Sequence, residues 1–191
     1  MPQIISPFRL DTQRSAVLLV DLQDRLCDSI PDIKNVIDRA KILTTACDQL
    51  EVVRAATVQY PEGLGPLVPT LLSDYPDAEA KRDFSAAACR IALDTWHQEG
   101  RDQIILVGIE THICIMQTAM DLLAEGFKIH VVVDAVTSRN KIDHETALLR
   151  LRELGVTLIS LESVLFEWLG SSRHTSFKAI SQLVKEMNCG E

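Results

Sequence analysis

The sequence predicts an α/β fold, a parallel sheet doubly wound with helices in a three-layer α-β-α sandwich, and three observations carry that prediction. Short runs rich in Val and Ile alternate with longer segments of helical period, the pattern of successive βαβ units. Two runs, 104–109 and 131–133, are almost continuously apolar, as strands covered on both faces are, and are expected at the centre of the sheet. Glycines recur between a helical segment and the strand after it, at Gly100, Gly126 and Gly155, where αβ loops require them.

The first strand is expected in AVLLVDL, 16–22. A surface helix follows, because Val36, Ile37, Ala40, Leu43, Thr44, Ala46, Cys47 and Leu50 fall at three- and four-residue spacings while Asp38, Arg39, Lys41 and Asp48 take the other face. VVRAATV, 52–58, is the second strand. QYPEGLGPLVP, 59–69, holds three prolines and two glycines, which forbid continuous helix or sheet pairing, so it reads as a loop. Loops at the carboxyl ends of parallel strands form the ligand crevice; a rigid connector explains the same composition. AEAKRDF, 78–84, is a weaker third strand. Ser85 can cap a helix over AAACRIALDTWHQ that ends at Gly100. QIILVGI, 103–109, is the fourth strand, followed by a helix from about His112 to Glu125. KIHVVVDAV, 128–136, is the fifth, followed by a helix over Asp143–Leu154, and VTLIS, 156–160, is the sixth. With no repeat, low-complexity tract or linker, residues 1–191 read as one domain.

Composition excludes some functions. The 191 residues are 47% hydrophobic, enough for one sizeable core. A net charge of -8 argues against nucleic acid, whose affinity comes mainly from phosphates neutralised by Lys and Arg. No apolar window approaches the length of a membrane span, and MPQIISPFRLDTQR lacks the features of a secretory signal. Cys27, Cys47, Cys89, Cys114 and Cys189 are odd in number and scattered, with no CxxC spacing, which suits free thiols in a reducing compartment. A soluble, cytoplasmic protein is the expectation.

Three reactive side chains stand near strand ends: Asp21 after SAVLLV, Lys81 in the weak third strand, and Cys114 a few residues beyond QIILVGI. In a doubly wound sheet those ends converge on one crevice. A thiol at a helix start feels the dipole and unpaired N–H groups, and a nearby Lys81 ammonium acts in the same direction, so a lowered thiol pKa is expected. Asp21 can take the thiol proton and return it to a leaving amine. By residue type alone, a small buried hydrophobe is the better explanation of Cys114.

The string GIETHICIMQTAMDLLAEGFKIHVVVDAVTSR, with SAVLLVDLQ upstream and AKRDFSA between them, resembles the isochorismatase-like hydrolase family over about 150 residues. TVQYPEGLGPLVPTL is similar to the corresponding loop of the subgroup called isochorismatase domain-containing proteins. The resemblance implies a six-stranded parallel sheet of order 3-2-1-4-5-6, an Asp-Lys-Cys triad falling on Asp21, Lys81 and Cys114, and a homo-oligomer. It also implies a non-proline cis peptide between Ile109 and Glu110, with N–H groups around Glu110 and Cys114 aimed at an oxyanion. Relatives that bind a metal carry an Asp-x-His pair after the second strand; ATVQYPEG has neither His nor Asp there, so neither a metal nor another cofactor is expected. The retained Cys114 favours acyl chemistry on a small-molecule amide-type C–N bond. The alternatives are vinyl-ether hydrolysis, which needs an acid but no thiol, and a non-catalytic binding or assembly subunit.

Around this centre, four further residues are pocket candidates. Gln23, two residues beyond Asp21, would point to the same side of a strand and orient the acid or touch substrate. Tyr60 either caps the pocket or packs on Pro61. Phe84 is core or pocket wall, and His112 is near Cys114, at a position where many relatives carry Asp. His97, His130, His144 and His174 lack ligand spacing and read as structural or surface residues. Asp134 reads as a strand-end cap acting with Ser138 and Arg139. VLFEWLG, 164–170, suits either internal packing or a subunit interface.

Overall fold

The computed structural model describes residues 5–31 and 33–188. In chain order the elements are β1 (Ser15–Val20), α1 (Asp24–Cys27), α2 (Ile33–Leu50), β2 (Val53–Gln59), α3 (Pro61–Leu64), α4 (Pro69–Leu72), β3 (Glu79–Lys81), α5 (Arg90–Gln98), β4 (Gln103–Ile109), α6 (Met116–Ala124), β5 (Lys128–Thr137), α7 (Lys141–Glu153), β6 (Thr157–Ile159), α8 (Leu161–Leu169) and α9 (Phe177–Asn188). The six strands form one sheet in the order β3-β2-β1-β4-β5-β6, every pair parallel.

That order makes β1 and β4 the central pair, both buried along their whole length, whereas β5, expected beside β4 at the centre, lies one strand further out and is partly covered. Period-two alternation divides their side chains between two cores. Val17 and Leu19 with Ile105 and Val107 face α2, α8 and α9, while Ala16, Leu18 and Val20 with Ile104 and Leu106 face α5, α6 and α7. Each fully buried Leu or Ile contributes about 1.5–3 kcal/mol, so neither face of the sheet can be left open. Helix α2 buries Val36, Ala40, Leu43, Thr44, Ala46, Cys47 and Leu50, the stripe its spacing predicts, with Ile37 only partly covered. Leu165, Trp168 and Leu169 are buried in α8, and Trp168 donates its indole N–H to Ser15 Oγ at 3.0 Å. Internal packing therefore accounts for most of VLFEWLG.

Several elements differ from their sequence expectation. The 59–69 stretch contains the single-turn helix α3 and leads into a second, α4, each with Pro in its first turn, where its missing N–H is no loss. Strand β3 is only three residues long, because the chain after Lys81 folds back: the Lys81 ammonium donates to the carbonyls of Asp83 and Phe84 at 3.3 and 3.0 Å. Ser85 caps a short 3-10 turn, Ala86–Ala88, rather than the helix itself. The carboxylate of Glu79 accepts from the N–H groups of Ile91 and Ala92 and so caps α5. Asp134 lies within β5 and ends no strand. It accepts from Leu161 N–H at 2.8 Å and pairs with Arg39 at 2.9 Å, tying α8 and α2 to the sheet instead of capping a turn with Ser138 and Arg139.

Candidate active site

Because all strands run the same way, the carboxyl ends of β1, β2, β3 and β4 share one edge of the sheet. Asp21 follows β1, continues its ladder by donating N–H to Thr57 C=O at 3.1 Å, and takes a left-handed conformation with φ of 56°. Its carboxylate is fully buried between two donors. Thr57 Oγ1 donates to Oδ1 at 2.9 Å and Lys81 Nζ to Oδ2 at 2.7 Å. The side chains of Lys81 and Asp21 are 1% and 0% exposed. Lys81 Nζ also donates to Gln59 Oε1 at 2.7 Å, so its three N–H groups have four protein acceptors around them.

Cys114, 5% exposed, lies within the influence of this pair: Asp21 and Lys81 both act on its thiol. It sits in a π-helical turn, Thr111–Ile115, that precedes α6, where a single uninterrupted helix was expected. Ile115 N–H reaches back five residues to Glu110 C=O at 3.2 Å. Contrary to the expected lowering, burial pushes the thiol up to about 12, Asp21 adds to this, and Lys81 opposes it only in part. Desolvation penalises a thiolate in this cavity more than the single ammonium favours it.

The approach to the turn is set by Gly108, whose φ is +117° and at which a Cβ would lie 2.1 Å from Val20 O. Only glycine fits so close to the β1 backbone. The ladder between β4 and β5 shifts register here, and the next peptide but one, Ile109–Glu110, is cis. The Glu110 carboxylate, 4% exposed, accepts from the N–H, Nε and Nη2 of Arg139. Burial works to raise that carboxyl, but the Arg139 hydrogen bonds and charge outweigh it and hold it below its ordinary value. Two histidines tie the turn to its surroundings, His112 from within it and His144 from α7. His112 Nδ1 is 2.9 Å from Ser138 Oγ, and His144 Nδ1 is 2.9 Å from Thr111 Oγ1.

The remaining sequence candidates fare differently. Gln23 is fully buried and spends its amide on the backbone: Oε1 accepts from Gln59 N–H at 2.7 Å, and Nε2 donates to the carbonyls of Gln59 and Gly65 at 3.0 and 2.7 Å. The turn at Asp21 breaks strand alternation, so the Gln23 amide hydrogen-bonds Gln59 and Gly65 rather than the carboxylate. Tyr60 is exposed with the Arg82 guanidinium 4.1 Å above its ring. Phe84 is 55% exposed rather than core. It walls a hollow of about 560 Å³ shared with Arg82, Ser85, Gln117 and Asp121, which neither Asp21 nor Cys114 lines. Thr57 and Gln59, which touch the buried ion pair, were not singled out by sequence reasoning; their only signal was polarity at the end of an otherwise apolar strand.

Cys27, Cys47, Cys89 and Cys114 are free thiols, and Cys189 lies outside the described residues. Among the described residues no cluster of three or more His, Cys, Asp or Glu side chains could hold a metal ion, and no helix is long and apolar enough to cross a membrane.

Comparison with known proteins agrees with this geometry. A protein from Danio rerio called isochorismatase domain-containing protein 2 is 39% identical over 176 residues, 92% of this chain and 89% of the relative. The solved structure of a MAR1 ribonuclease from Caenorhabditis elegans superposes with a TM-score of 0.84 at 34% identity, covering 93% of this chain and 92% of that one. The YcaC gene product of Escherichia coli, described as an octameric hydrolase of unknown specificity, covers 98% and 100% at 25% identity and a TM-score of 0.80. YcaC from Pseudomonas aeruginosa, solved with covalent acrylamide, covers 97% and 100% at 26% identity and a TM-score of 0.77. The isochorismatase domain model matches residues 15–163, and with these relatives it shows that the chain belongs to the isochorismatase family.

Proposed function

We propose that the protein is a cysteine hydrolase that cleaves an amide-type C–N bond of a small molecule through a Cys114 thioester, without a metal. The observation that carries this reading is the Asp21–Lys81 ion pair, buried at 2.7 Å against the thiol. Burying two charges costs several kcal/mol per ion and is often no better for stability than apolar packing, so its presence beside a nucleophile argues for chemistry. The end of β2 presents Gln59, a weak ligand type, where a metal site would need His or Asp.

In the mechanism Asp21 accepts the thiol proton as Sγ attacks the carbonyl carbon, which suits a thiol that is protonated at rest. Lys81 remains an ammonium, its protons held by fixed acceptors, and stabilises the thiolate as it forms. The N–H groups of Glu110 and Cys114 receive the oxyanion at the start of the π-helical turn. The tetrahedral intermediate collapses, the C–N bond breaks, and the amine leaves with the proton from Asp21. Water, deprotonated by Asp21, then attacks the thioester, and the acid departs as the thiol is regenerated. The covalent acrylamide of the Pseudomonas aeruginosa relative is in keeping with a reactive side chain in this fold.

The test is a screen of small amides, imides and ureas for ammonia or amine release, comparing wild type with Cys114→Ala. Release by the wild type alone supports the thioester. Retained turnover in Cys114→Ala sinks it and favours vinyl-ether hydrolysis by Asp21, a reading that the protonated resting thiol makes worth the comparison. RNA belongs in the screen because a relative is called a ribonuclease, though the net charge of -8 disfavours a polyanion. We also propose a cytoplasmic homo-oligomer, supported by the octameric Escherichia coli relative and by the exposed Ile142 and Leu149 of α7. Light scattering giving a monomer mass would refute the oligomer.

A further inference from the structure

We propose that Gln59 is a positioning residue of this site: its side-chain amide holds the Lys81 ammonium against Asp21 and beside Cys114. The inference rests on the hydrolase reading above. Strand β3 contributes only Glu79, Ala80 and Lys81, paired on one side with Thr57, Val58 and Gln59. A three-residue edge strand is a poor anchor, and the Lys side chain is long and flexible. The carbonyls of Asp83 and Phe84 hold Nζ from the segment after β3, so what ties Nζ to the neighbouring strand β2 is a side chain.

The amide of Gln59 supplies that tie. Its Nε2 donates to Arg82 C=O at 2.8 Å, on the residue after Lys81, and its Oε1 accepts from Lys81 Nζ at 2.7 Å. Only one orientation of the amide satisfies both partners, because a carbonyl oxygen requires a donor and an ammonium an acceptor. Gln59 is itself held at both backbone atoms by the buried Gln23 amide, and Tyr60 N–H donates to Lys81 C=O at 2.9 Å. A chain of hydrogen bonds thus runs from Gln23 through Gln59 to Lys81, linking the segment after β1 to the cation on β3. Gln23, expected to meet substrate or orient the acid, acts at one remove through this chain.

The electrostatic surroundings make the device readable. The charged groups acting on the Cys114 thiol are Asp21 and Lys81; Cys89 is the other thiol near Lys81, in the field of Glu79, Asp21 and Asp83 as well. On the nucleophile's own turn, Glu110 is paired with Arg139 and His112 faces Ser138 and Asp143.

The experiment is the rate of Cys114 alkylation by iodoacetamide, located by mass spectrometry, from about pH 6 to about pH 10 in wild type, Gln59→Glu and Gln59→Leu. Gln59→Glu keeps the shape but places a second carboxylate on Lys81 and turns an acceptor toward Arg82 C=O. Its profile is expected to move alkaline by about one unit, about tenfold slower at a fixed pH on the rising limb. Gln59→Leu, which leaves Lys81 without this acceptor, should move it the same way by less. Melting temperatures recorded alongside separate this from a merely structural role, which would lower stability and leave the profile in place. Profiles of both variants superimposed on wild type would overturn the assignment alone. A wild-type Cys114 inert at every pH would overturn the hydrolase reading, and the role of Gln59 with it.

Discussion

Replacing Gly108 with alanine tests how closely the nucleophile's strand is fitted to β1. The added Cβ would lie 2.1 Å from Val20 O and 2.9 Å from Val20 C and N, at a residue whose φ is +117°. All three atoms are backbone of Val20 in the central strand pair, where Val20 and Gly108 are in register, so no side chain can swing away. The backbones would have to separate by about 1 Å in a core packed like an organic crystal. Left-handed strain costs about 1–3 kcal/mol and overpacking about 1–3 kcal/mol more, together about 2–6 kcal/mol of a typical 5–15 kcal/mol stability. Gly126 is the control: its φ is +94°, yet a Cβ there meets nothing within 4 Å, so Gly126→Ala carries only the strain. Urea denaturation of both variants should place Gly108→Ala below Gly126→Ala by about 1–3 kcal/mol. Displacement of the turn that carries the thiol should also slow Cys114 alkylation in Gly108→Ala alone. Equal stability of the two variants would refute the close-approach argument.

Other expectations follow from the buried polar groups. Burial holds His130 and His144 below their ordinary value of 6.5. Their unfolded forms therefore take up protons first, and stability present above about pH 6.5 is lost as pH falls toward the lower folded values. Urea midpoints measured at about pH 7.5 and about pH 5.5 should differ less in His130→Gln than in wild type; identical differences would exclude His130. For Glu110, held low by Arg139, the folded carboxyl contributes stability above the ordinary carboxylate range and loses it as pH falls through its lowered value. Because Arg139 is half exposed, Arg139→Met should cost only about 1–3 kcal/mol, and that cost should shrink in acid as Glu110 protonates. Thr57→Val, which leaves Asp21 Oδ1 without its donor, should cost about 1–3 kcal/mol by urea denaturation; a neutral result would mean that Oδ1 finds another partner.

The resemblance to the family was carried by residues close together in sequence or in fixed order, and so it was legible. GIETHIC, VDLQ and AKRDFSA are each local strings, and the order of the strands bearing them follows from the βαβ pattern. The polar partners were not legible. Glu79 capping α5, Asp134 joining α8 to α2, and Gln23 gripping Gln59 are contacts across 12 to 36 residues or more. The thiol of Cys114 was misjudged for the same reason. A helix start and a lysine can be seen in a string of letters, but the depth of burial that raises the thiol cannot.

By itself, the sequence determined the alternation of strands and helices, the continuous burial of β4, and the candidacy of Asp21, Lys81 and Cys114, because hydrophobic period and residue chemistry are properties of neighbouring positions. Only the tertiary structure decided which acceptors surround Lys81, Gln59 among them, how far β3 extends, and that burial raises the thiol. Those depend on the stacking of β3, β2, β1 and β4 side by side, which sets the distances and the exclusion of water that govern hydrogen bonding and charge.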